Sequence, residues 1–170
     1  MGTRGMLGGL SGAVYDVIEI LDAAGKDIIL IETVGVGQAE VDIVKVADTT
    51  LVILVPGLGD SIQTIKAGLM EIADVFVINK ADKPGADQTI AEVESYLDTY
   101  TPIVNMRKPA IVPTSVKENT GIDTLLHEIQ NHHTFLKNHD KILEKHKIRY
   151  EVVLVEIIRK RLMGLIYDQE

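Results

Sequence analysis

The sequence predicts an α/β fold, with a mostly parallel sheet that carries helices on both faces and a helical arm at the C-terminal end. Short apolar runs alternate along the chain with segments whose apolar residues recur at helical spacing. This alternation is typical of βαβ units, whose crossover helices cover both faces of a parallel sheet. Beyond about residue 132 a stretch rich in Lys and His is followed by an apolar one, with no further Gly or Pro before Gly164. We expect one or two long helices there, outside the α/β core.

The elements are predicted in order from spacing and composition. The first helix has apolar residues at helical intervals, with Gly25 placed to end it: Leu7, Leu10, Val14, Val17, Ile18 and Leu21. Four continuous apolar runs suit buried strands: Ile28–Ile31, Leu51–Val55, Val75–Ile78 and Ala110–Val112. The remaining core helices are predicted near Glu40–Val46, Ile62–Ile72, Ala86–Leu97 and Gly121–Ile129. Because parallel sheets bind ligands at the carboxyl ends of their strands, the loops after the four runs are expected to share one functional edge.

The composition excludes several classes of function. The 170 residues suit one domain, or one domain with an appendage, and 46% of them are hydrophobic but only 4% aromatic, so the core is expected to be aliphatic. The absence of cysteine excludes disulfides, thiolate metal sites and thiol nucleophiles. A net charge of −8 argues against nucleic-acid and acidic-membrane partners. No apolar run approaches the ~20 residues that span a bilayer, and no signal peptide opens the chain, so a cytoplasmic protein is expected.

The five histidines are not spaced as a metal site. His132 and His133 are adjacent, so on a helix they point in different directions, and His139 and His146 lie beside lysines. The pattern favours a solvated helix face, although the basic residues there could also contact an acidic partner.

Asn79-Lys80-Ala81-Asp82 directly follows the third apolar run and predicts a site that recognises guanine. Guanine presents two adjacent donors, N1–H and the N2 amine, and an ionised Asp82 offers two acceptors side by side, whereas the acceptor at N1 of adenine would be repelled. Asn79 can donate to N7 of the base, and the stem of Lys80 can lie along its flat face. The alternative is an ordinary polar loop.

Two further loops carry candidate ligand residues. Pro113-Thr114-Ser115-Val116, with Gly121 after it, has small residues that let a backbone N–H approach a base oxygen, or it is a plain loop capped by Ser or Thr. In Glu32-Thr33-Val34-Gly35 the carboxylate can hold the water shell of Mg²⁺, and the glycine N–H can approach a γ-phosphate. The alternative for this loop is a strand terminus and a flexible turn.

Taken together, five segments resemble the MeaB/ArgK/MMAA family of P-loop GTPases, also labelled LAO/AO transport system ATPases. They are Thr3–Leu10, Ala23–Gly25, Glu32–Gln38, Pro56–Asp60 and Asn79–Asp82, in the order of the family. The resemblance implies a GTPase chaperone of an adenosylcobalamin-dependent acyl-CoA mutase, of the methylmalonyl-CoA mutase type. It also implies GTP or GDP and Mg²⁺ as cofactors, a homodimer, and a division into a GTPase core at residues 1–130 and a dimerisation arm at 131–170.

The resemblance also implies roles for single residues. Glu32 is expected near Mg²⁺ and Gly35 near the γ-phosphate, with Val36–Asp42 in the switch II region. Lys66, within the partner-responsive segment Leu58–Lys66, is expected to reach the active site when the mutase binds. For the base, Asn79, Lys80 and Asp82 are expected to recognise guanine, and Ser115 and Val116 to complete the pocket.

One part of the family pattern is missing from this sequence. A P-loop, G-x-x-x-x-G-K-[ST], holds the phosphates in such enzymes, and the only Gly-Lys pair here, Gly25-Lys26, does not fit it. We therefore expect a truncated chain, with the P-loop of the family lying before Met1. Such a chain is expected to bind GTP very weakly and not to hydrolyse it. It is also expected to cover its exposed apolar surface by self-association. Two alternatives stay open: a non-catalytic interaction module, and a metal-insertion GTPase, which the lack of a Cys or His cluster disfavours.

Overall fold

The computed structural model describes residues 12–33, 42–57, 70–99 and 107–167. The chain divides into two compact units, one formed by Met1–Ala47 with Asp140–Glu170 and the other by Asp48–His139. In chain order the elements are α1 Gly12–Ala23, a 3₁₀ helix Ile43–Lys45, β1 Leu51–Leu54, β2 Val75–Asn79, α2 Ala86–Thr99, β3 Ala110–Thr114, α3 Ile122–Asn138 and α4 Lys141–Tyr167.

A parallel three-stranded sheet organises the unit Asp48–His139. The strand order is β1-β2-β3, and both neighbouring pairs are parallel. Val75 at the start of β2 pairs with Leu51 of β1 and Ala110 of β3, and Asn79 at its end pairs with Thr114. The predicted α/β class with a mostly parallel sheet is confirmed, and the carboxyl ends of all three strands lie at the same edge.

The central strand β2 explains why helices cover both faces of this sheet. Successive side chains of a strand point to opposite faces. Val75 and Val77 pack on the face of α3, and Phe76 and Ile78 pack on the face of α2 with Val93 and Leu97. The four apolar side chains of β2, Val75–Ile78, are at most 3% exposed, so an uninterrupted apolar run is what a strand covered on both sides requires.

The other unit has a smaller apolar cluster built on α1. Tyr15 and Ile18 of α1 are buried with Val46, which follows the 3₁₀ helix, and Val152 of α4 packs against them. As predicted, α1 stops before Gly25, which adopts φ +73° and donates its N–H to the carbonyl of Asp22 at 2.8 Å. A left-handed glycine is a common helix terminator because it has no Cβ to clash.

The strand predicted at Ile28–Ile31 is wrong. The segment is described, but it forms no strand: Ile28 is 72% and Leu30 89% exposed, whereas Ile29 and Ile31 pack on the α1 cluster. A strand requires a neighbour for its backbone hydrogen bonds, and within the described ranges no strand pairs with this segment. Alternate burial alone leaves it an irregular segment.

The helix predictions hold with changes of extent. Ala86–Leu97 is confirmed and continues to Thr99, and the helix predicted at Gly121–Ile129 runs on to Asn138 as α3. In the described part of the helix predicted at Glu40–Val46, Asp42 is α-helical and Ile43–Lys45 form a 3₁₀ helix, and most of Ile62–Ile72 lies outside the described residues. Nowhere in those ranges is a helix long and apolar enough to cross a bilayer.

The predicted solvated histidine face is wrong for His132. This side chain is only 4% exposed, because α3 packs against β2 and β3 instead of lying outside the core at that point. His133 and His139 are exposed, as predicted. The division at residue 130 into core and arm stays a prediction, and α3 is continuous across that position.

Candidate functional site

The loops that follow the three strands meet at the carboxyl edge of the sheet. The loop after β2 is fastened to the end of β3, since the N–H of Ala81 donates to the carbonyl of Thr114 at 2.9 Å. The loop after β1 lies close by: a Cβ built on Gly85 would be 3.8 Å from Cβ of Pro56. The expected shared edge is confirmed for these three loops, whereas the loop after Ile28–Ile31 does not follow a strand.

A tight turn shapes the loop Asn79–Asp82. The Oδ1 atom of Asn79 accepts the N–H of Lys80 at 2.8 Å, and Lys80 adopts a left-handed conformation with φ +60°. The N–H of Lys83 then donates to the carbonyl of Lys80 at 2.9 Å. Asn side chains favour such turns because they replace a backbone acceptor. The turn leads the chain out of β2 and places Asp82 beside the loop after β3.

Ser115 holds the Asp82 carboxylate. Ser115 is buried, with 1% of its surface exposed. Its hydroxyl donates to Oδ1 of Asp82 at 2.6 Å, and the hydroxyl oxygen accepts the N–H of Glu118 at 3.2 Å. This hydroxyl hydrogen bond lowers the pKa of Asp82 below its ordinary value, and the charges of Lys117 and Lys83 act in the same direction. Asp82 is therefore a carboxylate at neutral pH.

The carboxylate of Asp82 retains capacity for a ligand with paired donors. An ionised carboxylate has about four acceptor sites, and the Ser115 hydroxyl uses one of them. Two N–H groups on the edge of a purine such as guanine match what remains. A base with an acceptor at that position would meet negative charge. The geometry supports selection of a donor–donor edge.

The structure brings three of the predicted site residues together: Asn79, Asp82 and Ser115. Lys80 and Val116 lie in the same two loops with exposed side chains, Val116 at 73%. Glu32 belongs to the other unit, where it is exposed in the irregular segment after α1. Gly35 and Lys66 lie outside the described residues, as does the segment 58–66.

Two residues of the site were missed or undervalued by sequence reasoning. Lys117 follows Val116 and adds positive charge beside Asp82. The sequence indicates Gly121 only as part of the motif, whereas the structure gives it a left-handed backbone and places a Cβ built there 2.0 Å from the carbonyl oxygen of Pro113. The position of Lys117, two residues after Ser115, is a sequence signal from which its place beside the site could be predicted. The close approach at Gly121 depends on three-dimensional contacts that spacing does not reveal.

The described residues fit a guanine nucleotide base better than they fit Mg²⁺. The loops at the carboxyl edge fit a guanine base, as described above. Glu32 supplies a single exposed carboxylate, and the described residues contain no cluster of three or more His, Asp or Glu side chains around it or elsewhere. Mg²⁺ in nucleotide sites is held by one or two carboxylates together with phosphate oxygens, so Glu32 could serve only with a bound nucleotide. Gly25 and Lys26 follow α1 and do not precede a helix as a P-loop does.

Comparison with known proteins gives one consistent family. The sequence model described as "Methylmalonyl Co-A mutase-associated GTPase MeaB" matches residues 1–170. A Pyrococcus abyssi protein named as a candidate GTPase is 50% identical over 166 residues, which are 96% of this chain and 51% of that protein. GTPase ArgK of Escherichia coli is 36% identical over 139 residues, which are 79% of this chain and 41% of that protein.

A solved structure agrees with these sequence matches. The crystal structure of an LAO/AO transport system kinase superposes with a TM-score of 0.69 at 28% identity, over 91% of this chain and 49% of that chain. This chain thus spans about half the length of its relatives.

Proposed function

The chain belongs to the MeaB family of mutase-associated GTPases, and from that premise we propose that its carboxyl-edge loops bind the guanine base of GTP or GDP. We further propose that the protein of which these loops are part acts as a GTPase chaperone of an adenosylcobalamin-dependent acyl-CoA mutase. The carboxyl-edge loops Asn79–Asp82 and Ser115–Val116 lie in the part of the chain that the structure describes. The second proposal is supported by the family's description, which names methylmalonyl-CoA mutase.

The hydrogen bond between Ser115 and Asp82 carries the proposal of guanine binding. It fixes a carboxylate whose pKa is lowered at the carboxyl edge of a parallel sheet, where α/β proteins bind ligands. Orientation matters because a carboxylate selects guanine only when both its oxygens can face N1–H and the N2 amine. Asn79, at the end of β2, pairs with Thr114, the last residue of β3, and Ser115 directly follows Thr114.

The phosphate end of the nucleotide is proposed from the family alone. Glu32 would help to hold Mg²⁺, Gly35 would approach the γ-phosphate, and Lys66 would take part in hydrolysis. Mg²⁺, when bound, supplies positive charge that offsets the charge developing on the phosphate oxygens. These three roles stay predictions, because two of the residues lie outside the described ranges and Glu32 lies in the other compact unit.

The mutase partner, the homodimer and the cytoplasmic location also stay predictions. The homodimer is supported by the exposed apolar side chains of α4, such as Leu154, Ile158 and Leu162, which are 57%, 48% and 55% exposed. Light scattering of the chain mixed with methylmalonyl-CoA mutase tests the partner, and two unshifted masses would contradict it. The alternative of an interaction module without nucleotide binding is separated from our proposal by the experiment below.

Substitution Asp82→Asn tests guanine recognition. Asparagine replaces an acceptor pair by one acceptor and one donor, which no longer matches N1–H and the N2 amine but does match the N1–H and O2 of xanthine. We expect GDP affinity to fall at least ~10-fold and XDP to bind better than GDP, since each lost charged hydrogen bond costs about 1.5–3 kcal/mol. Competition of both nucleotides against a fluorescent guanine nucleotide measures the ratio.

Asp87→Asn is the matched control for this substitution. Asp87 is an exposed aspartate in the first turn of α2, in the same compact unit, and its replacement makes the same change in charge. It should leave the preference for GDP over XDP as in the unmodified chain. An Asp82→Asn variant that keeps the original preference contradicts the assignment.

A further inference from the structure

Gly121 stands where the loop after β3 returns to begin α3, and only a glycine fits there. It adopts φ +77°, in the left-handed region that residues with a Cβ rarely enter. A Cβ at this position would lie 2.0 Å from the carbonyl oxygen of Pro113 and 3.1 Å from Cα of Thr114. Both are backbone atoms of β3, so they cannot move aside unless the strand itself moves.

The close approach at Gly121 closes the turn that carries Ser115. Ser115 and Thr120 exchange two backbone hydrogen bonds, each of 3.0 Å, immediately before Gly121. Within the turn the N–H of Glu118 donates to the Ser115 hydroxyl oxygen at 3.2 Å. The ionised Asp82 carboxylate can only accept a hydrogen bond, so the hydroxyl, whose oxygen accepts the Glu118 N–H, points its own proton to Asp82.

Thr114 connects this turn to the loop that carries Asp82. Its Cα is among the atoms nearest to Gly121, and its carbonyl accepts the N–H of Ala81. Thr114 is 2% exposed, so it is enclosed by its neighbours. A displacement of the end of β3 would therefore reach both the hydroxyl of Ser115 and the loop of Asp82, and the interior of a protein does not absorb such shifts freely.

We propose that Gly121 is a positioning residue of the base site: its lack of a side chain lets the turn Ser115–Thr120 close against β3, and this closure sets the Ser115 hydroxyl on the Asp82 carboxylate. Gly121 acts through Ser115 and does not touch the base. The consequence for nucleotide selection rests on the proposed function, whereas the hydrogen-bond geometry does not. A simpler role, that Gly121 only permits the start of α3, predicts no effect on Asp82.

Gly25 provides the control that separates conformation from contact. It has nearly the same backbone conformation, φ +73°, but a Cβ built on it would meet nothing within 4 Å. Gly25→Ala thus introduces the strain of a left-handed alanine without a steric contact, in the unit that does not contain Asp82. Gly121→Ala introduces both.

The test is the titration of the Asp82 carboxyl carbon by NMR in four proteins: the unmodified chain, Gly121→Ala, Ser115→Ala and Gly25→Ala. We expect the pKa of Asp82 to rise towards that of an unperturbed aspartate, about 3.9, in Gly121→Ala and Ser115→Ala, and to stay low in Gly25→Ala. If Gly121→Ala does not fold, Gly121→Asn replaces it, because asparagine tolerates the left-handed region while its Cβ keeps the contact.

A folded Gly121 variant in which Asp82 titrates as in the unmodified chain overturns the inference. So does an equal rise of the Asp82 pKa in Gly25→Ala, since that would assign the effect to general loss of stability. A GDP titration on the unmodified chain is read separately. Failure to bind GDP would contradict the proposed function and leave the Asp82 titrations as the measure of the positioning role.

Discussion

At the scale of single residues, two carboxylates are held ionised by donors from another part of the sheet unit. Asp82 receives the Ser115 hydroxyl, which lowers its pKa. Glu128 of α3 receives the guanidinium of Arg107, just before β3, and this hydrogen bond lowers the pKa of Glu128, with a further contribution from Asn131. The contacts from Ser115 to Asp82 and from Arg107 to Glu128 join residues that are far apart in sequence, so protonation of either carboxylate loosens a tertiary connection.

Acid should therefore destabilise the unit Asp48–His139, at a pH set by the pKa values of these two carboxyl groups. A carboxyl whose pKa is lower in the folded than in the unfolded state contributes its full stabilisation above the unfolded value, and this contribution is lost as pH falls through the folded value. With unfolded values near ~3.9 for Asp and ~4.3 for Glu, we expect these two contributions to be constant from neutral pH to about pH 5 and to fall below it. Urea unfolding at a series of pH values measures this dependence.

Glu128→Gln measures how much the contact between Glu128 and Arg107 contributes to the free energy of unfolding. It should remove about 0.5–1 kcal/mol at neutral pH, a modest amount because the pair is partly exposed, and it should make the loss of stability in acid shallower. An acid dependence identical to that of the unmodified chain would show that Glu128 has no lowered pKa.

The serine–aspartate contact was accessible to sequence reasoning only in part. The residue types Asn79, Asp82 and Ser115 follow apolar runs, and a parallel sheet brings the ends of its strands to one edge, so their proximity could be predicted. The direction of the Ser115 proton and the contact at Gly121 could not, because they depend on how the turn between Ser115 and Thr120 closes.

At the scale of elements, a buried histidine links α3 to the opposite edge of the sheet. His132 Nε2 lies 3.2 Å from Oδ1 of Asp74, and its Nδ1 lies 2.9 Å from the Thr49 hydroxyl. The other oxygen of Asp74 accepts the N–H of Thr50 at 2.8 Å. Since a carboxylate only accepts, Nε2 carries a proton, and in the neutral ring Nδ1 accepts from Thr49. The network fixes α3 to the segments that enter β1 and β2.

Loss of the His132 side chain should destabilise the chain strongly. His132→Ala leaves a cavity at a buried position and removes a hydrogen-bond partner of the partly buried Thr49 and Asp74, which together cost about 2–4 kcal/mol. His133→Ala is the matched control, since this adjacent histidine is exposed, and it should change stability by no more than about 0.5 kcal/mol. Urea unfolding measures both, and equal losses for the two variants would refute the network's role.

The elements differ in how well the sequence predicts them, for physical reasons. The run Val75–Ile78 is apolar throughout because both of its faces are covered, so composition alone identifies the strand. Ile28–Ile31 is equally apolar but lacks a pairing strand among the described residues, and the sequence of one segment does not reveal whether a partner strand exists. The burial of His132 is not evident from the sequence, because it depends on how far α3 extends over the sheet.

At the scale of the whole molecule, the residues proposed for the base and those proposed for the phosphates lie in different parts of the chain. The loops proposed for the base lie in the described sheet unit, and they are joined by hydrogen bonds from Ala81 to Thr114 and from Ser115 to Asp82. Of the residues proposed for phosphate and Mg²⁺, Glu32 lies in the other unit, and Gly35 and Lys66 lie outside the described ranges. The base site can therefore be tested without reference to hydrolysis.

The most direct test of guanine recognition is an NMR titration of the isotope-labelled chain with GDP and, in parallel, with ADP. This measurement detects binding even when the dissociation constant is in the millimolar range, as expected for a site with few contacts to the phosphates. We predict that GDP shifts the amide signals of the two loops Asn79–Asp82 and Ser115–Lys117 in a saturable way, and that ADP at the same concentrations does not. Equal responses to GDP and ADP, or shifts that avoid both loops, would contradict the claim that Asp82 and Ser115 form a guanine site.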